Sequence, residues 1–67
     1  MKFEQSELPT VARIIDRLEL EGSAYLDTGD SAGGNALFWF AGCLSNAAGL
    51  SLDPYGKLAD MIDPDNP

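Results

Sequence analysis

The chain has 67 residues, with 11 acids against 4 bases, no histidine and one cysteine, for a formal net charge of −7. That length holds one small domain and excludes a large catalytic fold. The lack of histidine beside a lone Cys43 removes an imidazole base, an internal disulfide and a zinc site. The charge disfavours attachment to nucleic acid phosphates or an anionic membrane and favours a basic partner.

Burying a large apolar side chain contributes about 2 kcal/mol, while ordering a residue costs about 1.5 kcal/mol, so a chain this short is expected to bury nearly all its large apolar residues. No apolar signal-peptide core follows Met1-Lys2-Phe3-Glu4, and the expected location is the cytoplasm. A first helix is predicted over residues 7–21, capped by Ser6, with Pro9 tolerated in its first turn and Gly22 ending it. Leu8, Val11, Ile15 and Leu18 recur at helical spacing, with Ile14 beside them, which leaves Arg13, Asp16, Arg17 and Glu21 facing water. Residues 23–29 read as a connector anchored by Tyr25 and Leu26.

The second helix is predicted over residues 31–48, with Asp30 as its cap and Gly49 just past its end. Leu37, Phe40, Leu44 and Ala47 form one stripe while Phe38 and Trp39 point elsewhere, so this helix is expected to be central and buried. Ala36, Ala41, Gly42 and Ala48 would let neighbours approach closely. The charge-free stretch from Ser31 to Leu52 is long enough to cross a bilayer but too polar to do so. A third helix over residues 54–62 would start from the Asp53-Pro54 pair and bury Leu58, Met61 and Ile62, with residues 63–67 as a frayed tail. The expected fold is all-α, a small three-helix domain with a buried central helix. The alternative is α+β with a short antiparallel sheet, using residues 24–28 and part of 35–43, because Leu37-Phe38-Trp39-Phe40 also suits a buried strand.

Gly29-Asp30-Ser31-Ala32-Gly33-Gly34-Asn35 fits the G-x-S-x-G nucleophile elbow and resembles the extended form in hormone-sensitive-lipase-like esterases. Serine chemistry needs a base and an oxyanion loop, and this chain has no histidine and no second glycine-rich loop, so the segment reads as a turn into a helix. A phosphate cradle there would be repelled by Asp27 and Asp30 and lacks the P-loop lysine. Asp27, Asp30 and Ser31 are hard oxygen ligands, but their spacing is not that of a calcium loop. No metal, cofactor or enzymatic activity is expected. Cys43 and Trp39 read as core residues.

The carboxylates carry the functional expectation. Residues 1–26 hold a net charge of −2 and residues 27–67 hold −5. Asp27 and Asp30 flank one turn, Asp60 and Asp63 lie three apart, and Asp16, Glu19 and Glu21 make a second group. Such a surface could occupy a basic groove as duplex phosphates do, and seven charges correspond to about 12 Å of duplex. The chain from Met1-Lys2-Phe3-Glu4-Gln5-Ser6-Glu7 through Asp63-Pro64-Asp65, acidic and without catalytic residues, resembles the small acidic anti-CRISPR proteins of phages and mobile elements. The resemblance implies a noncatalytic monomer that binds a type I (Cascade) surveillance complex, of subtype I-C, and blocks target DNA without touching nucleic acid itself. Its contact residues would be Asp27, Asp30, Asp60 and Asp63, with Asp16, Glu19 and Glu21 as a second patch. The alternative is an interaction module, an antitoxin or phage adaptor, that binds a protein through an apolar patch of Phe38, Trp39 or Tyr55.

Overall fold

The computed structural model describes residues 2–62. A 3-10 turn at Gln5–Glu7 leads into α1 (Leu8–Asp27), followed by α2 (Ser31–Ala48) and α3 (Leu58–Ile62), and no strand occurs among the described residues. The fold is therefore all-α, and the sheet alternative is excluded there: residues 24–27 and Leu37-Phe38-Trp39-Phe40 are helical. Asp63 and the tail at 63–67 lie outside the described residues.

The first helix begins and ends differently from the sequence expectation. Ser6 lies inside the 3-10 turn, and it is Glu4 that precedes that turn, its N–H donating to Glu7 Oε1 at 2.8 Å. Pro9 sits in the first turn of α1, where a missing N–H has no consequence. Gly22 does not stop the helix. It lies in the interior of α1 and is buried, with φ outside the left-handed region that a glycine stop requires. The stop comes at Gly29, with φ 88°: its N–H donates to Leu26 O at 3.0 Å and the Asp30 N–H donates to Tyr25 O at 2.9 Å, the two bonds of a Schellman ending. Tyr25 and Leu26 are thus helical and exposed, not a connector.

Glycine in a helix interior costs roughly 1 kcal/mol against alanine, so Gly22 needs a packing reason. That reason is Gly34. A Cβ on Gly22 would lie 3.2 Å from Gly34 O, and one on Gly34 would lie 2.9 Å from Gly22 O and 2.6 Å from Leu26 Cγ. The three-residue connection at 28–30 returns α2 along α1, and the facing glycines bring the two backbones together. The buried positions of α2 are Gly34, Ala41 and Ser45, a stripe of small residues. The Leu37, Phe40, Leu44 and Ala47 stripe lies to one side of it, half-buried or exposed.

This arrangement overturns the expectation of a buried central helix at residues 31–48. The central element is α1, which packs against both α2 and α3. The molecule measures 36 × 26 × 14 Å, and its thinnest dimension is barely more than one helix with its side chains. A layer that thin buries stripes and leaves faces open. Val11, Ala12, Ile15, Ala41 and Leu58 form the buried core, whereas Trp39 and Phe40 are 65 % and 56 % exposed. Met61, expected to be buried with Leu58, is exposed as well, and Ile62 is only half-buried. No described helix is long and apolar enough to cross a membrane.

Asp53-Pro54 makes a turn in place of a helix start. Asp53 O accepts from the Gly56 N–H at 3.1 Å and Asp53 Oδ2 accepts from the Lys57 N–H at 2.8 Å, while Gly56 at φ 69° breaks any helical continuation. The helix α3 therefore begins at Leu58, later than expected.

Adding one methyl at the α1–α2 crossing should separate the helices. We expect Gly34→Ala to lower stability in urea by about 1–3 kcal/mol, whereas Gly42→Ala, with open space around its Cβ, should raise it by about 0.5–1 kcal/mol. Equal responses at the two positions would contradict the close approach.

Candidate functional site

The structure disperses the carboxylates that the sequence groups together. Asp27 and Asp30 do flank one turn and both are exposed, with Asp30 Oδ1 accepting from the Gly33 N–H at 2.9 Å as the cap of α2. Asp60 is exposed on α3. About 16 Å of helix lies between Asp27 and Asp16, the residue that holds α3, so Asp60 and the Asp27/Asp30 pair occupy different regions of the surface. Glu21 is half-buried and paired with Arg17 at 2.8 Å.

Asp16 is not a surface charge. Its Oδ1 accepts from the Leu58 N–H and its Oδ2 from the Ala59 N–H, both at 2.9 Å, so one carboxylate satisfies two free donors at the start of α3. Arg13, three residues before Asp16 on α1, donates from Nη2 to Thr10 Oγ1 at 3.3 Å.

Glu19 departs furthest from the expected acidic patch. It is 8 % exposed, and its Oε1 is the one buried side-chain polar atom without a hydrogen-bond partner among the described residues. An unsatisfied buried acceptor costs about 1–3 kcal/mol, more when charged. Burial, and then the Asp16 and Asp53 carboxylates nearby, raise the Glu19 carboxyl above its ordinary value of 4.5. The signal was present in the sequence: Glu19 falls four after Ile15 and three before Gly22, on the same helical stripe as the core.

Glu19 belongs to the wall of a cleft of about 520 Å³ between α1 and the turn at 53–57, with Phe38 of α2 contributing to one side. Arg13, Arg17 and Lys57, three of the chain's four bases, line the same cleft, together with Ser23 and Tyr55. The cleft wall thus carries charges of both signs, because Asp16 lines it as well, and the charged neighbours that raise Glu19 are the Asp16 and Asp53 carboxylates. A second, apolar groove of about 360 Å³ is lined by Leu18, Trp39, Phe40, Cys43, Leu44 and Ala47. Cys43 and Trp39, expected in the core, are exposed on this face because the small-residue stripe of α2 takes the inward position. No group of three or more acidic or cysteine side chains among the described residues could hold a metal ion.

No family model matches the chain, and neither a curated protein nor a solved structure gives a match.

A folded-state pKa above the unfolded value means that the folded chain holds the proton more tightly. Glu19 therefore subtracts stability above its folded pKa, and that penalty fades as the pH falls toward 4.5. Glu19→Gln is expected to raise the thermal midpoint at pH 7, with the gap from the parent chain narrowing as the pH approaches 4.5. A lower midpoint at pH 7 would show that the carboxylate is satisfied in a way the structure does not contain.

Proposed function

We propose that this protein is a noncatalytic, stoichiometric inhibitor that occupies a protein surface, and that its target is the basic DNA-binding region of a type I CRISPR surveillance complex in the bacterial cytoplasm. The observation that carries the binding role is the exposed Trp39–Phe40 pair, packed edge to face with ring centroids 5.4 Å apart on an apolar groove. Aromatic residues on an apolar face commonly anchor protein interfaces. The resemblance to small acidic anti-CRISPR proteins supplies the target. Of the acids first assigned to the contact, Asp27, Asp30 and Asp60 are exposed and free to meet a basic groove, whereas Asp16 and Glu19 are committed inside the fold. In this reading the apolar Trp39–Phe40 face makes the central contact and blocks target DNA by occupying its site, with Asp27, Asp30 and Asp60 meeting basic surface at separate places.

A second reading rests on the same aromatic pair. An antitoxin or assembly adaptor would use the Trp39–Phe40 face alone, and its affinity would respond little to salt, unlike a contact dominated by charge.

Mobility shift of a target duplex by purified type I complexes, with this protein titrated in at two salt concentrations, tests the proposal. Loss of the shifted band near equimolar protein is expected, relieved in part by salt. Trp39→Ala should weaken inhibition by at least about tenfold, the scale of an interface hot spot, and Asp27→Lys with Asp60→Lys should weaken it with fold intact. No inhibition in any subtype would reject the target, and inhibition untouched by the charge reversals would reject the acidic contact.

A further inference from the structure

The cleft between α1 and the 53–57 turn has no role in that contact, and its chemistry is of a different kind. Three of the chain's four bases line one concavity, Arg13 and Arg17 being four apart on one face of α1 and Lys57 coming from the turn across it. Arg13, Lys57 and the donors that Arg17 does not give to Glu21 can serve an anion, and the guanidinium groups suit phosphate in particular. Glu19, in the wall of the same cleft and more than nine-tenths buried, offers an acceptor that nothing in the fold satisfies. The final carboxyl torsion is soft, so Oε1 can turn toward an incoming donor without moving the helix. Tyr55, 85 % exposed on the same cleft, and Phe38 present aromatic surface to a flat ring. The volume, about 520 Å³, falls in the range that accommodates a small organic ligand.

We propose that this cleft binds a guanine nucleotide, with Glu19 accepting from the N–H donors of the base, Tyr55 against the ring, and Arg13, Arg17 and Lys57 on the phosphate. The buried acceptor, the cations and Tyr55 each find a complement in that ligand, while Asp16 in the same lining has both oxygens engaged by the Leu58 and Ala59 N–H groups. A simple anion would leave Glu19 unpaired and would be repelled by it, and a simple amine would leave the three cations without a counterpart. Among purines, guanine places two N–H donors side by side on its Watson–Crick edge, matching a carboxylate, whereas adenine presents a ring nitrogen acceptor there that a carboxylate repels. This inference is independent of the inhibitor reading, because the cleft and the Trp39–Phe40 groove are lined by different residues.

Isothermal titration calorimetry of the full chain with GMP, AMP and inorganic phosphate tests it. GMP is expected to bind, with AMP and phosphate each weaker by at least about tenfold, the scale of one lost charge-assisted hydrogen bond. Glu19→Gln, which keeps the shape and removes the buried charge, should abolish the preference for GMP over AMP. Arg13→Ala combined with Lys57→Ala should weaken both nucleotides alike. Far-UV circular dichroism of each variant verifies that α1 is retained. No heat with GMP at millimolar concentration, phosphate binding as tightly as GMP, or an unchanged GMP preference in Glu19→Gln would each overturn the assignment.

Discussion

A single carboxylate, Asp16, holds the two ends of this fold together. Its two oxygens each accept a backbone N–H across more than forty residues of sequence, at Leu58 and Ala59. A five-residue helix such as α3 has no stability of its own in water, since nucleation alone outweighs the few hydrogen bonds it forms. Docked on Asp16, it places Leu58 in the core beside Val11, Ala12 and Ile15 and brings the Pro54–Lys57 turn over α1. The cleft exists only because that turn is held there. Bonds to a charged acceptor contribute about 1.5–3 kcal/mol each, a large share of the stability available to so small a domain.

With α1 in the middle of a layer barely thicker than one helix, burial is confined to stripes. Gly22 and Gly34 let α2 approach α1 so closely that its inward face is made of Gly34, Ala41 and Ser45, which pushes the larger residues outward. The exposed aromatic pair of α2 and the small core are thus two consequences of one close contact. They are also why a protein of this kind would gain by covering that face with a partner, since contiguous apolar surface on a small protein commonly marks an interaction site.

Local chemistry made the second helix legible. Asp30 before it and Gly49 after it are an N-cap and a left-handed stop, and both act as such. Gly22 was misread because a glycine that ends a helix and one that admits a neighbour look alike in sequence; only a facing glycine decides, and Gly34 lies too far along the chain to be paired with it by pattern. Asp53-Pro54 has the letters of a helix start, but Gly56 two residues later turns the backbone left-handed. Asp16 is indistinguishable from a solvated helix acid until its distant partners are known. Glu19 was different: its place on the Ile15–Gly22 stripe was visible, and the assumption that a glutamate faces water concealed it. Charge counting therefore overestimated the acidic surface, because two of the seven chosen acids are used inside the fold.

Amide hydrogen exchange at Leu58 and Ala59, measured by NMR on the unmodified chain, addresses the Asp16 staple most directly. If those two N–H groups are held by Asp16, they exchange slowly and open together with the core amides of α1, despite belonging to a helix of only five residues. Exchange at free-chain rates while α1 stays protected would mean that α3 is not docked, and the cleft and the burial of Leu58 would fall with it.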